Sequence, residues 1–269
     1  MTEQQIERYS RHIILPEVGG KGQEKLLAGK VLVVGAGGLG SPAGLYLAAA
    51  GVGTLGLMDA DLVDLSNLQR QIAHATPDLG RPKVESAAAK FRAINPDVTV
   101  RTYPERLTAA NALSIMKDFD FVIDCTDSFA SKFLVADACH FAGKPYSHGG
   151  VLKFAGQTMT VLPGRTACYR CVFREPPPPG VAPSCSQAGV LGVLPGVVGA
   201  IQATEAIKFL LGIGELLTNR LLVYDALAMK FRDVRIGRNA NCPLCGQAPT
   251  IAELRDEASA ACDRGGGSK

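Results

Sequence analysis

Residues 31–58 form a run of 28 positions without one charge. By length alone such a run could cross a bilayer. Eight of its residues are glycine and one is proline, and it opens on Val31-Leu32-Val33-Val34. Glycines so placed break a membrane helix but suit tight turns between packed elements. The run therefore reads as a buried strand, a glycine turn, a helix and a second strand. Pro42 fits the first turn of that helix.

Strand and helix patterns continue to alternate. Strands are expected at 30–34, 55–58, 98–103 and 119–124, with two more inside 145–162 and others at 221–225 and 230–235. Helices are expected at 41–50, 82–94, 108–117, 128–142 and 188–211, the last broken near Pro195. A polar helical arm, 3–28, precedes the core. This order predicts an α/β, Rossmann-like fold, a mostly parallel sheet with helices on both faces. The 269 residues allow one or two domains. A single domain is expected over 1–250. It divides into a first half over about 28–160 and a second half, with a crossover segment, over about 161–250. A polar helix from 251, fraying into a flexible tail, is expected to end at 269. With 47% hydrophobic and 20% charged residues the chain is not disordered. A net charge of +3 gives no argument for nucleic acid or an anionic membrane as partner. The charged N-terminus has no apolar segment resembling a signal peptide, so a cytoplasmic location is expected.

Gly35-x-Gly37-x-x-Gly40 follows a strand and opens a helix, where backbone amides bind phosphate. Asp59, at the tip of the second strand, can accept bonds from ribose hydroxyls. The pair points to an adenine nucleotide without separating NAD from ATP. The next residues favour ATP: Asn67, Arg70 and Gln71 follow the second strand, Lys83 starts a helix, and Asp127 lies just past the strand ending at Asp124. A carboxylate attacking a triphosphate must overcome mutual repulsion, and Arg, Lys and Mg²⁺ cancel it. Asp127 is a candidate Mg²⁺ ligand.

The eight cysteines include two Cys-x-x-Cys pairs, Cys168/Cys171 and Cys242/Cys245. Each pair places two thiolates on one turn, and two such turns complete a tetrahedral, structural zinc site. The competing reading is a pair of redox motifs, although neither starts a helix after a strand as a thioredoxin-type motif does.

Together these residues resemble the adenylyltransferases that activate ubiquitin-like sulfur carriers, the MoeB, ThiF and HesA group. The resemblance spans roughly 5–247. It rests on Arg8-Tyr9-Ser10-Arg11, Leu15-Pro16-Glu17-Val18-Gly19, the glycine loop with Ser41-Pro42, and Asp59-x-Asp61. It rests further on Ser66-Asn67-Leu68-Gln69-Arg70-Gln71, Lys83, Asp124-Cys125-Thr126-Asp127 and both cysteine pairs. It implies that Gly37 and Gly38 lie against ATP, Asp59 binds ribose, and Asn67, Arg70 and Lys83 contact phosphates. Gln71 would shape the site and Asp127 would hold Mg²⁺. Arg11 would reach into the ATP site of a second copy in a homodimer.

The implied reaction is ATP-dependent adenylation of the C-terminal glycine carboxylate of a small Gly-Gly-ending carrier. Pyrophosphate is released, and thiocarboxylate formation follows. The sulfur is expected from a separate donor protein. Cys185, close before a helix, is a candidate for a covalent step with the carrier, since helix dipoles favour a thiolate. Competing readings are a tRNA-modifying dehydratase of the same superfamily, an NAD-dependent oxidoreductase and a non-catalytic zinc-bearing interaction protein.

Overall fold

A computed structural model of the chain describes residues 1–178 and 188–256. The 31–58 run folds as expected. Strand β1 (Lys30–Val34) leads through the glycine loop to helix α4 (Gly40–Ala50) and strand β2 (Thr54–Met58). The N-terminal region differs from a single helical arm: it forms α1 (Glu3–Arg8), α2 (Ser10–Ile13) and α3 (Gly19–Ala28). Between them the chain turns so that Tyr9 and Leu26 reach the core. The Tyr9 hydroxyl accepts a hydrogen bond from Asn95 Nδ2 at 2.8 Å, so the region is tied to the core at Tyr9.

Further along come α5 (Lys83–Ile94), β3 (Thr99–Tyr103), α6 (Ala112–Met116), β4 (Phe121–Asp124) and α7 (Phe129–Phe141). They are followed by β5 (Tyr146–Leu152), β6 (Ala155–Val161), α8 (Tyr169–Val172), α9 (Leu194–Leu211), β7 (Arg220–Asp225) and β8 (Lys230–Arg235). Helix α6 is shorter than the expected 108–117, because Asn111 caps the preceding Thr108 amide instead of continuing a helix. Helix α9 starts at Leu194, with Pro195 in its first turn and not at a break.

Among the described residues the strands form one eight-stranded sheet in the order β3-β2-β1-β4-β5-β6-β7-β8. The first five are parallel and the last three antiparallel. One core lies beneath α4, α5 and α9, around Val31, Val33, Leu47, Phe91 and Phe121. The other lies beneath α6 and α7, around Leu32, Met58, Met116, Phe119 and Phe133. Alternate residues of the central strands thus feed opposite faces, as a sheet covered on both sides requires.

The order in which strands are added reverses between the parallel neighbours β1 and β4: β2 and β3 lie to one side, β5 to the other. In such sheets ligands bind outside the carboxyl ends of the strands at this switch point. Of the described helices, α9 is long and apolar enough to cross a membrane. Here it lies against α4 and across β5 and β6, and Glu205 and Gln202 on it are buried.

Candidate active site

A cleft of about 450 Å³ opens at the switch point. Its floor is the glycine loop. Gly35 has φ +99°, and a Cβ there would lie 2.6 Å from the Cys125 carbonyl oxygen. A Cβ on Gly40 would fall 1.9 Å from the Gly35 carbonyl oxygen, so the turn closes only on glycine at both places. Gly37 and Gly38 line the cleft.

Asp59, directly after β2, lies in the same cleft. Its Oδ2 accepts from the Ala36 amide and its Oδ1 from the Asp61 amide, each at 2.8 Å. Burial raises its pKa from the usual carboxylate value, opposed by the charge of Lys83 and these two amides. An ionised carboxylate offers about four acceptor positions, so two remain for hydroxyl donors.

Lys83 opens α5 and is almost wholly buried; its Nζ lies 3.0 Å from Asp61 Oδ2. Arg70 donates from Nη1 to the Ser66 carbonyl at 3.1 Å, which sets its side chain along the wall. Gln71 and Asp127 complete the lining. The buried Gln71 Oε1 has no hydrogen-bond partner among the described residues. Asn67 is not among the lining residues. Its carbonyl accepts from the Arg70 and Gln71 amides at 3.1 and 3.0 Å, so it supports the turn that carries both. Arg11 is exposed on α2, away from the cleft lining. Cys185 lies outside the described residues.

A buried network missing from the sequence reading surrounds the turn that leads to Asp127. Asp124 Oδ1 accepts from the Thr126 amide at 3.0 Å and from the Thr126 hydroxyl at 2.6 Å. Its Oδ2 accepts from His148 Nδ1 at 2.9 Å and lies 3.5 Å from Lys132 Nζ. Burial alone would raise the Asp124 pKa, but Lys132 and His148 hold it at about 2. Lys132 also donates to the Thr126 and Gly149 carbonyls at 2.6 and 2.5 Å. Gln202, on α9, donates from Nε2 to the Asp124 and Ser147 carbonyls at 2.9 and 3.1 Å. The turn after β4 is therefore clamped from α7, β5 and α9 before Asp127 meets the cleft.

The four sulfurs of Cys168, Cys171, Cys242 and Cys245 lie within 4.8 Å of one another. The sulfur of Cys168 is 3.7 Å from Cys171, 3.5 Å from Cys242 and 3.3 Å from Cys245. A tetrahedron of Zn–S bonds has edges of about 3.8 Å, close to these separations. The Asn239 amide donates to the Cys171 sulfur and the Cys245 amide to the Cys242 sulfur, both at 3.5 Å. Four thiol groups with amide donors suit a closed tetrahedral metal site, with no position left for a reacting water.

The ThiF family profile matches residues 9–244 of the chain. The chain is 49% identical over 260 residues to the sulfur carrier protein adenylyltransferase of Thermus thermophilus, covering 95% of this chain and 96% of that protein. It is 52% identical over 243 residues to the SAMP-activating enzyme E1 of Haloferax volcanii, covering 90% of each. Among solved structures it shares the fold of Escherichia coli MccB with ATP. That match has a TM-score of 0.77 and 24% identity, over 88% of this chain and 74% of that one.

Proposed function

The chain belongs to the ThiF family, and on that footing we propose that it adenylates the C-terminal glycine carboxylate of a small ubiquitin-like sulfur carrier. One observation carries this reading: the cleft at the switch point gathers Asp59, Arg70, Lys83 and Asp127 around a glycine loop. The two cations suit a triphosphate, which a dehydrogenase cleft does not need. The names of both relatives support the same activity.

In the proposed reaction a carboxylate oxygen of the carrier attacks the α-phosphorus of ATP. The bond from that phosphorus to the bridging oxygen breaks, pyrophosphate leaves, and an acyl-adenylate remains. Gly37 and Gly38 let the backbone approach the phosphates. Asp59 accepts from the ribose hydroxyls. Arg70 and Lys83 offset the repulsion between attacking carboxylate and triphosphate. Asp127 would hold Mg²⁺, which supplies further charge neutralisation. Asp124, His148 and Lys132 keep the turn that carries Asp127 in register.

The cysteine cluster would hold one structural zinc, which adds binding energy to folding. The enzyme acts as a homodimer in which Arg11 of each copy completes the other's site. Cys185 would serve a step after adenylation, and a separate protein supplies the sulfur. Reduced thiols ready for zinc fit a cytoplasmic location.

The test is ATP–pyrophosphate exchange with candidate carriers ending in Gly-Gly. Exchange is expected with at least one intact carrier and none with the same carrier lacking its last glycine. Exchange that ignores the terminal glycine would contradict the reading.

A further inference from the structure

The chain beyond the second cysteine pair does not leave the molecule where the sequence predicts a tail. Residues 251–256 are irregular, yet Asp256 lines the nucleotide cleft beside Glu105, Arg106 and Leu107. We propose that residues 251–256 form the outer wall of the base-binding end of the cleft, with Asp256 positioning the loop 104–111 that meets the base. The proposal rests on the ATP reading of the cleft given above.

The order of strands locates this end. The glycine loop leaves β1 and Asp59 directly follows β2, so phosphates and ribose follow that line across the sheet. The next strand outward is β3, and loop 104–111 begins where β3 stops. The Asp59 amide donates to the carbonyl of Tyr103, the last residue of β3, at 3.2 Å, so the ribose carboxylate and the loop share one anchor. A nucleotide whose ribose sits at Asp59 and whose phosphates sit at the glycine loop directs its base here. Leu107 gives that end an apolar surface for a ring.

The loop is regular neither in strand nor helix, so its backbone groups need side-chain partners. Asn111 provides several. Its Nδ2 donates to the Arg106 carbonyl and to Glu105 Oε2, both at 2.9 Å, and its Oδ1 accepts from the Thr108 amide at 2.8 Å. The Ala109 amide is answered from 147 positions away, donating to Asp256 Oδ1 at 2.8 Å.

The wall is fixed at its own base. The Thr250 and Ile251 amides both donate to the carbonyl of Pro243, inside the second cysteine pair, at 2.9 Å. Ile251 and Leu254 pack, with Tyr103 and Leu107, against the core beneath α6 and α7. The segment thus joins the cysteine cluster to the rim of the cleft by apolar packing at two places and a hydrogen bond at its end.

Calorimetric titration of the full chain with ATP, and separately with inorganic tripolyphosphate, tests the proposal. Asp256→Ala is expected to weaken ATP binding about tenfold, the equivalent of one charge-assisted hydrogen bond, and tripolyphosphate binding less than about twofold. Asp256→Asn keeps an acceptor for the Ala109 amide and is expected to recover most of the ATP affinity. In pyrophosphate exchange Asp256→Ala should raise KM for ATP far more than it lowers kcat. Leu254→Ala, on the same wall, should show the same selective loss, which keeps the test available if Asp256→Ala does not fold. Unchanged ATP affinity in both variants, or equal losses for both ligands, would overturn the proposal. A wild-type chain that binds no ATP overturns the reading of the cleft itself; a wild type that binds ATP alongside unaffected variants overturns only the wall.

Discussion

His74 Nε2 lies 2.9 Å from the carbonyl oxygen of Ala36, within the glycine loop. The carbonyl can only accept, so Nε2 carries the proton. Nδ1 lies 2.9 Å from Ser86 Oγ on α5. The buried ring thus ties the glycine loop to the helix that begins with Lys83. Burial lowers its pKa below the ordinary 6.5, against the bond to Ala36 that raises it.

His74→Phe keeps the volume and removes both polar contacts. ATP affinity is expected to fall several-fold, because a buried carbonyl left unpaired costs about 1–3 kcal/mol and the loop shifts to relieve it. Titration calorimetry reads this directly. Affinity equal to wild type would show that the loop holds its shape without the ring.

Arg70→Ala, Lys83→Ala and Asp127→Ala should each reduce pyrophosphate exchange on the order of 100-fold, the size of one preorganised electrostatic group. The Asp127 defect should be most severe at low Mg²⁺. Normal exchange by Asp127→Ala under that condition would remove its assignment as the metal ligand.

Protein purified without chelators should carry one zinc per chain by elemental analysis. Cys168→Ser should lose the metal and melt at a lower temperature, since binding energy at a structural site is folding energy. Metal-free wild-type protein of unchanged stability would end the zinc assignment.

Acid should destabilise the fold in two stages. Burial lowers the pKa of His74, His140 and His148 below 6.5, so their native forms are neutral. Below that pH the unfolded chain takes up protons that the folded chain refuses, and stability falls as pH drops. Asp124 acts in the same direction over a lower range. Its folded pKa of about 2 lies under the ordinary 3.8, so its contribution is complete above 3.8 and disappears as pH falls towards 2. Melting temperatures between pH 8 and 5 should show the first stage, and His148→Asn, which retains a donor for Asp124, should flatten it. A flat wild-type profile in that range would contradict the buried neutral rings.

Arg11→Ala should impair exchange while leaving the protein dimeric. Mixing it with Lys83→Ala should partly restore activity, because one of the two shared sites then has both groups. Mixtures that exchange subunits without recovering activity would remove the role of Arg11 across the interface.

What the sequence disclosed of the site was whatever depends on short spacing. The glycine loop, Asp59 and the Cys-x-x-Cys pairs are local patterns whose geometry follows from a few consecutive residues. Arg70 and Gln71 sit on one such short stretch and line the cleft, and Asn67, on the same stretch, offers its carbonyl to the turn that carries them. Lys132, His148 and Gln202 carried no such signal. Each answers a carbonyl or carboxylate on a strand distant in sequence, and only the β4–β5 pairing and the packing of α9 bring those partners together. Asp256 was hidden for a further reason: a polar, glycine-rich C-terminus resembles a tail, and its first residues are held by packing that no periodicity marks. The fold was more legible, since strand–helix alternation carries it, and the sequence reading erred where local capping or docking overrode propensity, at α6 and the N-terminal helices.

Helix α7 touches both the cleft and the first cysteine pair's turn. Its first turns, with Ala130, Ser131 and Lys132, line the cleft. Further along, Asp137 receives Arg170, which lies inside the first cysteine pair, through two bonds of 2.8 and 2.7 Å. The Arg170 guanidinium also stacks 4.6 Å from the centre of the Phe133 ring on the same helix. A helix is stiff over this length, so it behaves as a strut between the cysteine cluster and the nucleotide. Chelation or oxidation of the cluster would therefore be sensed at the cleft as a displaced rod, and inactivation would precede global unfolding.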